Sequence, residues 1–146
     1  MIRDAIELDI NKILDLADAF WQHTIYTEAF ERDQTQIMIE MSLACNLLIV
    51  NETDGVVDGF LAALSAPLLA STQAMQAIEL AWYVDPSLRG KTVGVRLIKT
   101  MESKAKAQGI KYFNMASMQS SMPEAINSMY TKLGYDHTET TFTKIL

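Results

Sequence analysis

A long apolar segment that ends at a proline, followed by a glycine-containing turn and an amphipathic helix, most restricts the fold of this chain. The segment runs from Met75 to Val84 and stops at Asp85-Pro86, because proline cannot donate to a sheet ladder and biases its predecessor away from helix. Val93 to Gln108 then shows helical spacing and ends at Gly109. This order predicts a strand, a turn and a helix within a mixed α/β sheet. The predicted inward face of the helix is Val93, Leu97, Ile98, Met101 and Ala105.

Two further helices are predicted before this unit. Apolar residues recur at three- and four-residue spacing from Ile10 to Trp21, with Asp9 as the expected N-cap. A second helix is expected after Asp33, whose carboxylate would cap it while Gln36 closes a capping box. The residues expected to face inward on this second helix are Ile37, Met41, Ala44 and Cys45.

The remaining segments complete a predicted order of β-α-α-β-β-β-α-β-α-β in one domain, residues 1–146. Asp54-Gly55 has the chemistry of a hairpin turn between two apolar runs, and the Thr-Phe-Thr alternation near the end is typical of a strand. Gly134 is expected to stop the last helix. The predicted segments are strands at 1–7, 46–51, 56–65, 110–117 and 135–146, a loop at 67–73, and a helix at 123–133.

Composition excludes several classes of function. The formal net charge of -6 and the pI of about 4.8 argue against a general nucleic-acid surface, since phosphate contacts need clustered Lys and Arg. Cys45 is the single cysteine, so no internal disulfide is expected. No signal-peptide pattern or membrane-length apolar stretch is present, and we expect a cytoplasmic protein. No metal site is expected, because Cys45 and the two histidines do not cluster.

The turn before the long helix contains Gly90-Lys91-Thr92, which is the ending of a triphosphate-binding loop. Asp85 stands where that loop needs its first glycine, and Pro86 removes an amide that should donate to phosphate. The segment is better interpreted as an anion site at a helix start, where unpaired amides and the helix dipole attract negative charge. An ordinary turn with a solvated Lys91 is the alternative.

Two segments resemble motifs of the GCN5-related N-acetyltransferase (GNAT) superfamily. Arg89 to Gly94 is similar to the acetyl-CoA loop, Gln/Arg-x-x-Gly-x-Gly/Ala, with Thr92 in place of the first glycine. The strand before it, Leu80 to Pro86, looks like the family's strand ending in Val-x-Pro. Ala125 to Tyr135 is similar to the family's Ala-x-x-x-x-Tyr-x-x-x-Gly-Phe/Tyr segment. The resemblance spans nearly the whole chain.

The resemblance implies a fold and an activity. The fold would be an α/β (α+β) GNAT fold, with a mixed, mostly antiparallel sheet of six to seven strands, about four helices, and a splay between the fourth and fifth strands. The activity would be direct transfer of an acetyl group from acetyl-CoA to a primary amine of a small molecule or peptide. Homodimers form through the last strands in many members of the family. The alternative is a catalytically weak or inactive member that binds CoA or a protein partner, a reading to which Thr92 lends support.

The resemblance also implies roles for individual residues. Tyr130 would protonate the departing thiolate, although a buried helix tyrosine is the alternative. The backbone groups of Tyr83 and Val84 would pair with the pantetheine arm, and Asn127 would also contact the cosubstrate. The pyrophosphate would be held by the acetyl-CoA loop, which consists of Arg89, Gly90, Lys91, Thr92, Val93 and Gly94.

Glu79 is the candidate general base on the residues alone. Strand alternation would place it on one face with Ala81 and Tyr83, and a carboxylate in so apolar a segment needs a reason to be there. A partly exposed strand residue or an ion pair is the alternative interpretation of Glu79. His23 and His137 are competing candidates for the base.

Overall fold

The strand segments of the sequence form one five-stranded sheet in the order β1-β2-β3-β4-β5. A computed structural model describes residues 1–146. Neighbouring strands are antiparallel except β4 and β5, which are parallel. The strands are β1 (Ile2–Asp4), β2 (Leu48–Thr53), β3 (Val56–Leu68), β4 (Ser71–Val84) and β5 (Ile110–Asn114). The helices are α1 (Ile10–Trp21), α2 (Arg32–Ala44), α3 (Val93–Ala107) and α4 (Pro123–Leu133).

Contacts divide the chain into two compact units. The first unit, Met1–Ala116, contains the whole sheet with α1, α2 and α3, and the second unit, Ser117–Leu146, contains α4 and the C-terminal residues. The mixed, mostly antiparallel sheet confirms the predicted fold class. None of the helices is both long and apolar enough to cross a membrane.

Helices cover both faces of the sheet in the first unit. One core cluster joins α1 and α2 to alternate residues of the strands, such as Val50, Phe60 and Ala62. Their strand neighbours Ile49 and Leu61 are fully buried outside this cluster, and α3 packs against β2, β3, β4 and β5. The buried residues of α3 are the five that the sequence predicts: Val93, Leu97, Ile98, Met101 and Ala105.

The hairpin between β2 and β3 is confirmed, and its turn explains the choice of residues. Asp54 and Gly55 both have positive φ, 51° and 79°. Two successive residues with positive φ match the right-handed twist of the strands that they connect, and Asp and Gly accept that conformation most readily.

Asp9 is at the N-cap position of α1, as predicted, but its side chain does not cap the helix because it has a different partner. Its carboxylate makes no side-chain cap to α1. Instead it accepts hydrogen bonds from both terminal nitrogens of Arg3, at 2.7 and 2.9 Å, and from the Ile6 N–H at 2.9 Å. Asp9 is therefore part of the joint between β1 and α1, and the ion pair with Arg3 determines its orientation.

The predicted start and inward face of α2 are also wrong. The helix begins before Asp33, no side chain caps it, and Ile37 and Met41 are 52% and 46% exposed. The residues buried on α2 are Ile39 and Ser42. The Ser42 hydroxyl donates to Leu47 O at 2.8 Å and accepts the Ala63 N–H at 3.1 Å, so the backbone of the sheet fixes the helix rotation.

Two other predictions fail because strand pairing is decided by distant segments. The predicted loop at 67–73 is the end of a hairpin, since β3 continues to Leu68 and β4 begins at Ser71. The predicted final strand at 135–146 is absent from the structure, so the sheet has five strands and not six or seven. A strand requires a neighbour for its N–H and C=O groups, and alternation in the sequence does not supply one.

Candidate active site

The C-terminal half of β4 has an open edge. β4 and β5 pair only from Met75 to Ile78, whereas β4 continues to Val84. The pairing with β3 continues along this whole half. From Glu79 onward, one side of β4 is therefore a row of backbone groups without a strand beside it, which corresponds to the predicted splay between strands 4 and 5.

Val84 and Trp82 present their backbone groups at this open edge. The N–H of the following residue, Asp85, donates to Asp58 O on β3 at 2.8 Å. Successive residues of a strand point their N–H and C=O groups to opposite sides. The backbone groups of Val84 and Trp82 consequently point away from β3, whereas those of Tyr83 point toward it.

A β-bulge at Leu80 interrupts β4 where the open edge begins. Ala62 is opposite Ala81, and the next residue, Ala63, is opposite Glu79, so Leu80 is the extra residue. Leu80 packs against the same core cluster as Ala81 and Tyr83. Glu79 lies opposite Ala63, which is outside this cluster, because the bulge shifts the alternation of side chains by one residue. The prediction that Glu79 shares a face of the sheet with Ala81 and Tyr83 is therefore wrong.

The Glu79 carboxylate lies at the point where β4 and β5 separate. Its Oε2 atom accepts the Ala116 N–H at 2.8 Å, just beyond the end of β5. Removal from water raises the pKa of Glu79 to about 7, although the Ala116 N–H acts in the opposite direction. A carboxyl group with a pKa near neutral pH is suited to accept a proton in catalysis.

The start of α3 adjoins the same part of β4. The first helical hydrogen bond runs from the Arg96 N–H to Thr92 O at 2.9 Å, so the amides of Val93, Gly94 and Val95 precede it. Gly90 has a φ of 78°, a conformation that other residues rarely adopt, and space for a side chain is open around it. The turn thus leaves the first amides of α3 available to an anion.

Gly94 has a different physical role from Gly90. A Cβ atom at Gly94 would lie 2.8 Å from Cζ2 of Trp82. Glycine at this position allows the first turn of α3 to rest on the indole of β4, which sets the distance between the helix start and the open edge. The sequence interpretation assigned Gly94 to the acetyl-CoA loop and did not anticipate this contact.

We expect Gly94→Ala to move Trp82 and to lower the free energy of unfolding by about 1–3 kcal/mol, as overpacking does. In a Trp21→Phe background, the fluorescence of Trp82 should shift. Gly90→Ala is the matched control, because its cost of about 1–2 kcal/mol arises from the left-handed backbone and should leave the Trp82 spectrum unchanged. Identical spectra for the two variants would contradict this assignment.

Arg89 folds back over the end of β4. Its guanidinium carbon lies 5.2 Å from the centroid of the Tyr83 ring, and its Nε atom donates to Val84 O at 3.3 Å. The centroid of the His23 ring lies 6.1 Å from the centroid of the same Tyr83 ring. His23 is therefore near the open half of β4.

Asp85 caps the short turn between β4 and α3. Its Oδ1 atom accepts the Ser87 N–H at 2.9 Å and the Ser87 hydroxyl at 2.6 Å. These bonds, with smaller contributions from the charges of Arg89 and Lys12, hold the pKa of the Asp85 carboxyl below its usual value. The carboxylate that argues against a triphosphate loop has thus a structural function in the turn.

The other predicted site residues lie in the second unit. Tyr130, on α4, is buried, and its ring is 5.5 Å from that of Tyr135. Gly134, with a φ of 90°, ends the helix as predicted. Asn127 is exposed on α4, and His137 makes a 3.1 Å contact with the Thr140 hydroxyl. The structure has no group of three or more His, Cys, Asp or Glu side chains placed to hold a metal ion.

The sequence profile of the acetyltransferase (GNAT) family matches residues 10–135. The chain belongs to this family. The match includes the open half of β4, α3 and α4, and the family assignment inferred from the two motifs is confirmed. A search among curated proteins gives no match.

Solved structures of acetyltransferases share the fold of this GNAT protein. The aminoglycoside N-acetyltransferase AAC(6')-Iy in complex with CoA is 17% identical, with a TM-score of 0.78 over 100% of this chain and 93% of that chain. A predicted acetyltransferase from Clostridium acetobutylicum with acetyl-CoA is 16% identical, with a TM-score of 0.77 over 99% and 95%. A ribosomal-protein-alanine N-acetyltransferase from Brucella melitensis biovar Abortus 2308 is 17% identical, with a TM-score of 0.74 over 100% and 99%.

Proposed function

We propose that this protein is an acetyl-CoA-dependent N-acetyltransferase that acts on a primary amine by direct transfer. The observation that carries the proposal is the open edge of β4 from Glu79 to Val84, which ends beside the unpaired amides at the start of α3. The edge offers hydrogen bonds to an extended amide-containing arm, and the helix start offers them to a phosphate. CoA contains both groups, and two structures with this fold contain CoA or acetyl-CoA.

The binding residues in this proposal are those of the acetyl-CoA loop and the strand before it. Val84 supplies backbone groups at the open edge, and Tyr83 supports Arg89 through its ring. The amides from Gly90 to Gly94, with Arg89 and Lys91, hold the pyrophosphate. The proposed contact of Asn127 with the cosubstrate rests on the family motif alone. Thr92 has a φ of -80°, an ordinary helical value, so its side chain causes no backbone strain at the position where the family has glycine.

The proposed chemistry requires one proton acceptor and one proton donor. Glu79 takes a proton from the acceptor amine, directly or through water, and the free amine attacks the thioester carbonyl. The tetrahedral intermediate then collapses and the C–S bond breaks. In the role that the family motif gives it, the Tyr130 phenol donates its proton to the departing thiolate, and the phenolate then takes up the proton that the amide nitrogen still has to lose. Acetyl-CoA supplies an acetyl group activated as a thioester. Because the amine attacks directly, no protein nucleophile is needed.

The pKa of Glu79 favours this role over a purely structural one. A carboxylate that served only as an acceptor for the Ala116 N–H would function best fully ionised, whereas Glu79, with a pKa of about 7, is in part protonated at neutral pH. Its position at the separation of β4 and β5 also places it at the open edge. His23 and His137 remain competing candidates.

The proposal is tested by measuring binding and turnover separately. Acetyl-CoA should raise the melting temperature, and thiol release should follow when amines are added. The amine panel should contain an aminoglycoside and an alanine-terminated peptide, since two structures with this fold are named for such acceptors, together with a polyamine and free amino acids. ATP with Mg²⁺ is the control ligand, and the proposal predicts no stabilisation by it.

Each outcome of this experiment has a distinct meaning. Absence of stabilisation by acetyl-CoA would overturn the proposal. Stabilisation by ATP and Mg²⁺ that is lost in Lys91→Ala would favour a nucleotide-binding domain. Stabilisation by acetyl-CoA without thiol release for any amine would favour a family member that binds CoA and does not catalyse transfer.

A further inference from the structure

The end of the β3–β4 hairpin is not covered by the rest of the sheet. Pairing between β2 and β3 stops at Leu48 opposite Ala62, followed by one hydrogen bond of 3.0 Å from the Ala63 N–H to Leu47 O. β3 nevertheless continues to Leu68. From Leu64 onward, this side of β3 is therefore an open edge.

Apolar side chains are exposed on this part of the hairpin. Leu69, in the turn between β3 and β4, is 104% exposed. Leu64 is paired with Ile78, which is 42% exposed. Strand alternation places Leu64, Ala66 and Leu68 on one face, and none of the three is buried. The uncovered segment thus has an apolar stripe along one face and an apolar residue, Leu69, in its turn.

The uncovered segment has no charge, in contrast to the rest of the chain. Residues 59–78 contain no Asp, Glu, Lys or Arg, whereas the chain as a whole has a formal net charge of -6. Exposed strand edges are usually protected from association by charged side chains, above all by lysine. Pro67 is the one residue here of a type that limits edge pairing. An exposed apolar edge without charge indicates a surface for association.

We propose that this hairpin end, residues 64–69 with Ile78, is the contact surface between two copies of the chain. Two acidic copies repel each other over most of their surfaces, and this segment is the place where they can meet without that repulsion. A hairpin packed antiparallel on its own copy satisfies two-fold symmetry, because the same residues then serve both partners.

The antiparallel arrangement accounts for both exposed apolar groups with one contact. With the two-fold axis near the middle of the segment, Leu69 of each copy lies over Leu64 and Ile78 of the other. A basic partner would be attracted to the acidic surfaces instead, and an anionic membrane would find no Lys or Arg here. This surface is distinct from the last strands, which the family resemblance implies as a dimer contact.

Sedimentation equilibrium of the full chain tests the proposal. We expect the wild type to have about twice the monomer mass of 16.3 kDa. Leu69→Asp should raise the dissociation constant on the order of a hundredfold, because each dimer loses two buried leucines and gains carboxylates on an apolar contact. Leu69 is fully exposed in the single chain, so this change should not affect folding.

Leu8→Asp is the matched control, since Leu8 is an exposed leucine, 87% accessible, and is not part of the hairpin. Its dimer affinity should equal that of the wild type. A monomeric wild type at concentrations of about 100 µM, or equal affinities for Leu69→Asp and the wild type, would overturn the proposal; the second result would point to another interface, such as the last strands.

A cross-linking measurement provides an independent readout. In a Cys45→Ser background, Ala66→Cys places a thiol near the two-fold axis, and oxidation by copper-phenanthroline and oxygen should give a covalent dimer within minutes. Leu8→Cys in the same background should remain monomeric. Equal yields from the two variants would contradict the arrangement. The result does not depend on acetyltransferase activity.

Discussion

Glu79→Gln should lower kcat by about 10²- to 10⁴-fold while leaving the affinity for acetyl-CoA nearly unchanged, since glutamine cannot accept a proton from the amine. Glutamine has the same shape, and its amide oxygen can still accept the Ala116 N–H. The pH profile of kcat provides the specific readout. In the wild type, the rate should rise through a pKa of about 7, the value for Glu79, and this ascending limb should be missing in the variant.

The same substitution should make the protein more stable above neutral pH. The folded state holds the Glu79 proton to a pKa of about 7, above the usual 4.5, so stability falls as pH rises between these values and then levels off. Glutamine removes this loss. Chemical denaturation at pH 8 should therefore show the variant about 1–3 kcal/mol more stable than the wild type, with little difference at pH 4.

Glu139→Gln is the matched control for both measurements, because Glu139 is exposed and outside regular structure. It should change neither the rate nor the pH dependence of stability. A Glu79→Gln variant that keeps the wild-type rate and the ascending limb would show that Glu79 serves only to bind the Ala116 amide. A rate that falls together with stability would instead indicate a structural defect.

The parts of the fold that the sequence predicts well are those with local determinants. The buried face of α3 follows from the spacing of its apolar residues, and its end follows from Gly109, with a φ of 78°. The β2–β3 turn follows in the same way from Asp54-Gly55. In each case the deciding residues belong to the same helix or hairpin as the structure they produce.

The wrong predictions concern features that distant residues determine. The rotation of α2 depends on the Ser42 hydroxyl, which bonds Leu47, just before β2, and the distant Ala63 on β3. The face of Glu79 depends on the bulge at Leu80, which becomes apparent only when β3 is aligned beside β4. The candidate site combines both kinds of information: its motifs are local, but the open edge of β4 exists because β5 is short.

Arg3→Met should destabilise the protein by about 2–4 kcal/mol, the largest effect that we expect from a residue outside the candidate site. Arg3 binds Asp9 at 2.7 Å and Glu52 at 2.6 Å, and the side chains of the two acids are 9% and 26% exposed. Without the guanidinium, two neighbouring carboxylates remain in a partly dry site between β1, β2 and the start of α1. Methionine retains the apolar part of the arginine side chain, so the lost stability measures the contribution of the Arg3 charge and its hydrogen bonds.

The pH dependence distinguishes this ion pair from ordinary packing. Hydrogen bonds from Arg3 hold the pKa of Asp9 below its usual 3.8, so the folded state retains the ionised form to lower pH than the unfolded chain does. The wild type should therefore lose stability as pH falls from about 4 toward the folded pKa of Asp9, and Arg3→Met should lack that loss.

Arg32→Met is the matched control. The side chains of Arg32 and its ion-pair partner Asp15 are 44% and 56% exposed, and removal of this pair should cost less than about 1 kcal/mol. Urea denaturation between pH 2.5 and 7 measures both variants, and equal losses for Arg3 and Arg32 at pH 7 would show that burial of the Arg3 network contributes nothing to stability.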